Sequence, residues 1–385
     1  MNSARFISSR INFQGRLALV GVALSYLVMI LALAISGGFR SELRKGISAL
    51  AGDVQLTPSD MNYLSGTSSL PLKASYIASI DSLGYVKDVD GVVYRAGIAR
   101  NGSDIQGVVF KGVPDGPDSL GVSIPTRLGS LLGLKVGDDL LSYFIGEKMR
   151  VRKFRIVDTY ESPLGVDEGL VVFCSLGDLQ RVNGWEDEVS AFEVHLSSSH
   201  QSEPLLTEAL DEVGLIAYAK TPDDEPYPIA RSSVQRYPQI FSWLSLIDFN
   251  VLFILLLMTV VAGFNMISGL LILLFRNIST IGVLKSLGMT DWKISEVFLR
   301  VASSIVLRGM LIGNLIALAF CLLQGRTHLF RLNPENYFLS FVPIHVDVGT
   351  LVFVDIASYI VIMVLLLIPS MFISKVDPAK TVRAQ

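Results

Sequence analysis

Four long apolar runs limit what this chain can fold into. They are LALVGVALSYLVMILALAI (17–35), SLIDFNVLFILLLMTVVAGFNMISGLLILLF (245–275), VFLRVASSIVLRGMLIGNLIALAFCLL (297–323) and TLVFVDIASYIVIMVLLLIPSMFI (350–373). Each has close to or more than the ~20 residues that cross a hydrocarbon core at 1.5 Å per residue. The chain has 385 residues, 51% of them hydrophobic and only 17% charged, and its mean hydropathy is +0.51. A water-soluble core of that size has no room for four such runs, so the reading is a four-span membrane protein. The first run follows basic residues, as a signal peptide would. It is longer than a typical signal core, however, and LAISGGFRSELRKG continues it as an amphipathic segment, so it is read as a retained anchor.

Charge sets the expected orientation. Arg5, Arg10 and Arg16 stand before the first run with no acid among them. Residues 276–293 carry Arg276, Lys285 and Lys293 against a single acid, Asp291, and Lys375, Lys380 and Arg383 face Asp377 in the tail. With four spans these three segments share one side, and short basic segments stay cytoplasmic. Residues 46–241 carry 27 acidic and 16 basic residues, which suits an exported domain, although Arg40, Arg44 and Lys45 partly oppose the rule. Both termini are therefore expected on the cytoplasmic side. The expected order is an interfacial segment 1–16, span and extension 17–51, an outer domain 52–237 in two lobes, and a span with extension 238–275. A cytoplasmic loop 276–296, a span 297–323, a short outer loop 324–349, a span 350–373 and a tail 374–385 follow.

The inserted stretch reads as mixed α/β. VDGVVYRAGIA, IQGVVFKGV, VRKFRIVDTY, EGLVVFCS and AFEVHL are strand-like, separated by Gly, Asp and Pro clusters. PLKASYIASIDSL (71–83) and QSEPLLTEALDEV have helical spacing, and TPDDEPYPIA reads as an acidic connector. The lobe division places residues near 53–95 and 190–230 together, with a mostly β lobe inserted between them. The fold class is thus a four-helix membrane protein with a large mixed α/β domain between helices one and two.

No catalytic constellation is visible. The closest two of the four histidines, His195 and His200, are too loosely spaced for a metal pair, and Cys174 and Cys321 offer no disulfide framework. There is no G-x-x-x-x-G-K-[ST], so the chain is not expected to bind a nucleotide. No metal, cofactor or nucleic acid is expected on it. Any ATP and Mg belong to another polypeptide.

Inside the runs, Arg308 and Asp355 are costly in lipid and are expected to face protein, water or headgroups. Arg308 sits roughly 16 Å above Val297 and Asp355 roughly 27 Å above Ile373, so separate placement is favoured over an ion pair. Gly309 and Gly313 form a G-x-x-x-G step suited to close helix contact, and Gly263 and Gly269 are a second packing or bending zone. No chain of acids that could carry protons is present.

Between the second and third runs lies RNISTIGVLKSLGMTDWK. Ile278, Ile281, Leu284 and Leu287 recur every three residues, while Ser279, Thr280 and Lys285 can face water. Gly288 suits a helix stop and Thr290 an N-cap. The spacing predicts a short amphipathic helix on the cytoplasmic surface, either lying on lipid or docking a protein.

The run VAGFNMISGLLILLFRNISTIGVLKSLGMTDWKISEVFL resembles the second span and following loop of bacterial ABC-type permeases of the lipoprotein-releasing group. That group shares a superfamily with macrolide-export permeases and the cell-division permease that controls peptidoglycan hydrolysis. FISSRI, SGGFRSELRKGISALAGDVQL, SIPTRLGSLLGLKVGDDL and DPAKTVR are similar to other parts of the same pattern. The resemblance implies a non-catalytic subunit, paired with an identical or related permease chain and with a cytoplasmic ATPase dimer. The loop helix with Ile281, Gly282, Leu284, Lys285, Leu287 and Gly288 would be the coupling element. It also implies a lipoprotein substrate and a periplasmic lipoprotein carrier, with residues 24–33 and 249–264 as the region of interest. Efflux-type and division-type permeases, which pass motion to a periplasmic partner without moving lipid, are the alternative. The sequence departs from the pattern at Thr280, where an acid is common, and at Arg300 and Arg308.

Overall fold

A computed structural model describes residues 16–59, 64–146, 149–162, 170–332, 339 and 341–370. The chain divides into two compact units, one of Met1–Ser41, Trp243–Arg331 and Phe341–Gln385, the other of Glu42–Ser242 and Leu332–Ser340. The expected interfacial segment before Arg16 and the tail lie outside the described residues.

The first unit is helical. Its long helices are α1 (Arg16–Ala51), which continues into the second unit, α7 (Pro238–Arg276), which begins there, α9 (Asp291–Thr327) and α10 (Val348–Leu365), followed by the short α11 (Leu367–Ser370). Among the described residues, four helices are long and apolar enough to cross a membrane. Their packed seam holds Val22, Tyr26, Met266, Leu270, Phe298, Val306 and Ile362. Near the boundary of this unit, Arg40 of α1 pairs with Asp248 of α7, and Ser36 donates to the same carboxylate at 2.9 Å.

The second unit is built on one nine-stranded sheet in the order β11-β1-β10-β3-β4-β8-β5-β7-β6, and β6 also pairs back to β3. The strands are β1 (Val54–Pro58), β3 (Val86–Asn101), β4 (Asp104–Val113), β5 (Gly121–Pro125), β6 (Asp139–Phe144), β7 (Arg150–Tyr160), β8 (Val171–Ser175), β10 (Ala191–Leu196) and β11 (Pro228–Ser232). β2 (Leu70–Pro71) and β9 (Glu188–Val189) form a separate two-stranded pair. The pairing of Ile98, Ala99 and Arg100 with Tyr143, Ser142 and Leu141 closes six strands into a barrel. β3 is long enough to serve twice: its first half pairs with β10 in an open antiparallel sheet, its second half with β4 and β6 in the barrel.

The barrel interior is aromatic. Phe110, Phe144 and Phe154 have ring centroids 4.8 to 6.4 Å apart, and all are fully buried. Helices α3 (Thr126–Leu132), α4 (Leu176–Asn183) and α5 (Glu203–Lys220) add Leu128, Leu179, Leu206 and Val213 to the same core. Two sequence expectations need correction here. Residues 71–83 are not one helix: only α2 (Ile77–Asp81) forms, because Leu70 and Pro71 are taken up by pairing with Val189 and Glu188. The connector TPDDEPYPIA runs into a strand, since Pro228 to Ser232 pair along β1 at a sheet edge, where proline's missing N–H is tolerated. Cys174 and Cys321 are buried free thiols.

Candidate functional site

The loop between α7 and α9 forms α8 (Ile278–Ser286). It starts where Asn277 leaves helical geometry, and it stops at Gly288, whose φ of +83° a side chain would resist. Thr290 holds the N-cap position of α9 with extended backbone, but its side chain makes no capping bond. Ile281 and Gly282 are buried, and Ile281 joins the apolar cluster that includes Leu273, Ile294, Phe298 and Leu366. Leu284 and Met289 pack against that cluster from its margin.

The apolar stripe differs from its sequence reading at three positions. Ile278 and Leu287, expected to share a face with Ile281 and Leu284, are exposed, Leu287 by 78%. Lys285, expected to face water, is instead mostly covered and forms a 2.8 Å ion pair with Asp291 at the start of α9. The reason is angular. Steps of three advance a helix by about 300°, so over three steps the stripe drifts about 180° from where it began. The result is a rooted face of Ile281, Gly282 and Lys285 and an outward face of Thr280, Val283 and Leu287, with the exposed Trp292 just beyond. Arg300, one of the departures, pairs with Glu296 one turn earlier at 2.6 Å.

The glycines named from sequence all lie at interhelical contacts. Gly309 and Gly313 of α9 face α1: a methyl group on Gly309 would meet Val22 Cγ1 at 2.7 Å, and one on Gly313 would press on the Ala23 carbonyl and come 2.9 Å from Tyr26 Cβ. A methyl on Gly269 would meet Ala18 Cβ at 2.9 Å, whereas on Gly263 it would meet only the flexible end of Leu365. Sequence reading missed Gly37 and Gly38. The backbone of Pro343 and Ile344 lies against Gly38, and His345 N–H donates to the Ala34 carbonyl at 3.0 Å. Adjacent glycines inside an apolar helix were the available signal.

The two ionisable residues are apart. Arg308 is exposed, while Asp355 is buried and accepts a 2.6 Å hydrogen bond from Asn314 Nδ2 of α9. Beside it, Ser358 donates to the hydroxyl of Tyr26 at 3.0 Å, which joins α10 to α1. Among the described residues no group of three or more His, Cys, Asp or Glu side chains is placed to hold a metal ion.

Residues 252–378, which contain α8, α9 and α10, match the family described as FtsX-like permease C-terminal. The chain is 21% identical, over 97% of its length and 94% of the relative's, to the lipoprotein-releasing system transmembrane protein LolC of Neisseria meningitidis serogroup B. Among solved structures it is similar to the extracellular domain of the noncanonic ABC-type transporter YknZ from Gram-positive bacteria, at 15% identity and a TM-score of 0.29 over 46% of this chain and 98% of that one. It is similar also to the periplasmic region of MacB from Actinobacillus actinomycetemcomitans, at 12% identity and a TM-score of 0.32 over 50% and 95%. Over residues 252–378, about a third of its length, the chain is thus similar to FtsX-like permeases.

Proposed function

We propose that this chain is the permease subunit of an ABC complex in a bacterial inner membrane. A cytoplasmic ATPase dimer drives it, and it passes motion to its inserted domain, which acts on a periplasmic partner without lipid crossing the membrane cleft. The observation that carries this reading is the two-sidedness of α8. Ile281 and Gly282 sit in the packed seam of the spans and Lys285 is tied to Asp291, while Val283 and Leu287 remain outward. A helix fixed on one face and apolar on the other can receive a push and hand it to α7 and α9. A helix lying loose on lipid could not.

The likeness of residues 252–378 to FtsX-like permeases supports an ATPase partner and a second permease chain, identical or related. ATP and Mg belong to the ATPase, and this chain supplies no catalytic group. Replacing Val283 and Leu287 together with Asp should reduce recovery of the ATPase with the purified permease by tenfold or more while membrane insertion is kept. Full recovery of the ATPase would remove α8 from the coupling role.

One observation favours a second reading, release of lipoproteins to a periplasmic carrier: the likeness to lipoprotein-releasing LolC runs along nearly the whole chain. Phe249, Leu252, Phe253, Leu256 and Phe264 of α7 are exposed and could shield acyl chains, whose exposure to water costs about 0.8 kcal/mol per CH₂. Mass spectrometry of the native complex separates the two. A triacylated protein lost on Phe253→Ser supports release, and nucleotide-driven motion with no acylated cargo supports the first reading.

A further inference from the structure

The second unit contains a buried charged cluster that fold and coupling surface leave unused. Lys111 of β4 is 2% exposed and Glu193 of β10 is 1% exposed; they form a 2.6 Å ion pair. Tyr94 of β3 donates its hydroxyl to the other oxygen of Glu193. The Lys111 ammonium also donates to the Leu50 carbonyl at 2.7 Å and lies over the Tyr94 and Phe173 rings at 5.7 and 5.6 Å. Leu50 belongs to the last turn of α1, where helix carbonyls lack intrahelical partners and the dipole is negative. Its neighbour Ala51 receives Arg236 Nη1 at 2.8 Å, and Arg236 belongs to α6 (Ser233–Arg236), two residues before α7 begins. Gly52 then turns the chain with φ +68°, so close to Glu193 that an added Cβ would lie 2.9 Å from the Glu193 Cβ.

Four elements therefore meet at one point: the end of α1, the lead-in to α7, the barrel through Lys111, and the open sheet through Glu193. An apolar pair at 111 and 193 could fill the same space, and such replacements of buried ion pairs are often neutral for stability. It could not satisfy the Leu50 carbonyl. We infer that Lys111 and Glu193, with Arg236, are the joint that fixes the ends of the two long helices to both lobes of the inserted domain, so that helix motion moves the domain as one body. This rests on the motion-passing function proposed above.

The test uses the full permease–ATPase complex in lipid vesicles, with nitroxide labels on cysteines introduced at the exposed Ser103 and Gly325. In Lys111→Met with Glu193→Met, ATP hydrolysis should stay within about twofold of the parent complex. The nucleotide-dependent change in label distance should be lost, and amide exchange at residues 50–53 should rise tenfold or more. Arg236→Gln, which leaves the ion pair in place, should give a smaller change of the same kind. A double variant with unaltered exchange and parent-like motion overturns the joint alone. A parent complex with no nucleotide-dependent motion overturns the function and the joint together, even if exchange at residues 50–53 responds as expected. Should the double variant not fold, Arg236→Gln with parent-like motion and exchange overturns the joint.

Discussion

The two units put the same residue types to opposite use. In the inserted domain, Phe110, Phe144, Phe154 and Phe192 are at most 2% exposed, whereas in α7 Phe249, Phe253, Phe264 and Phe275 are 60 to 70% exposed. Burial of apolar surface from water drives the first arrangement. In lipid that drive is absent between helices, and association falls to close packing and hydrogen bonds. Accordingly close contacts of the membrane unit are made at Gly38, Gly309 and Gly313, and buried side-chain hydrogen bonds such as Asn314 to Asp355 link its helices. The long helices divide the work: 39% of the most apolar window of α1 is buried, against 11% in α7. α1 is the one the others pack around, and α7 is left the most exposed of the four.

The largest test of this contrast is a matched pair of truncations. Phe110→Ala removes the centre of the barrel and should cost about 3–5 kcal/mol, with loss of the folded domain in limited proteolysis. Phe253→Ala touches little of the chain and should change stability by no more than about 0.5 kcal/mol. Equal losses at the two sites would mean that α7 is packed as a core helix and that the contrast is wrong.

A second pair probes the seam. Gly313→Ala presses a methyl group on the Ala23 carbonyl, which is backbone and cannot turn aside. The expected cost is about 1–3 kcal/mol, read as a lower melting temperature of the detergent-solubilised protein. Gly325→Ala, in the same helix with nothing within 4 Å, should be neutral or slightly stabilising. If the two behave alike, α9 does not press on α1 through its glycines.

How much of this was readable in advance follows from the range of the forces. The spans were legible because lipid requires a run of about twenty predominantly apolar residues, a local rule that leaves its mark on consecutive positions. The G-x-x-x-G step was legible for the same reason. The barrel was not, since its closure depends on Ile98 meeting Tyr143, a register set by packing and not by either strand alone. Lys111 and Glu193 are 82 residues apart, and neither carries any local sign of the other. In α8 the stripe was read from spacing, but which face is rooted depends on Ile294 and Phe298 of the next helix. Lys285 shows the limit well: a lysine on a short amphipathic helix reads as solvated, and its pairing with Asp291 needs the turn at Gly288.

The smallest expected effect concerns how a spanning helix begins. Asp347 caps α10 by accepting from the backbone N–H groups of Gly349 and Thr350, at 3.2 and 3.0 Å, and from the Thr350 hydroxyl. The Thr350 hydroxyl above all, with the two N–H groups, holds its carboxyl below the usual range. A carboxyl with a depressed folded pKa binds its proton less readily than in the unfolded chain, so its contribution is present above the unfolded value of about 3.9 and fades as pH falls through the folded value. Asp347→Ala should therefore lower the melting temperature by only about 2–3 °C at pH 7, and by less as the pH approaches 3. Asp347→Asn keeps the acceptor without the charge and should lose less than Ala, with little dependence on pH. An Ala variant whose deficit grew on acidification would show that the carboxylate does not act as a cap.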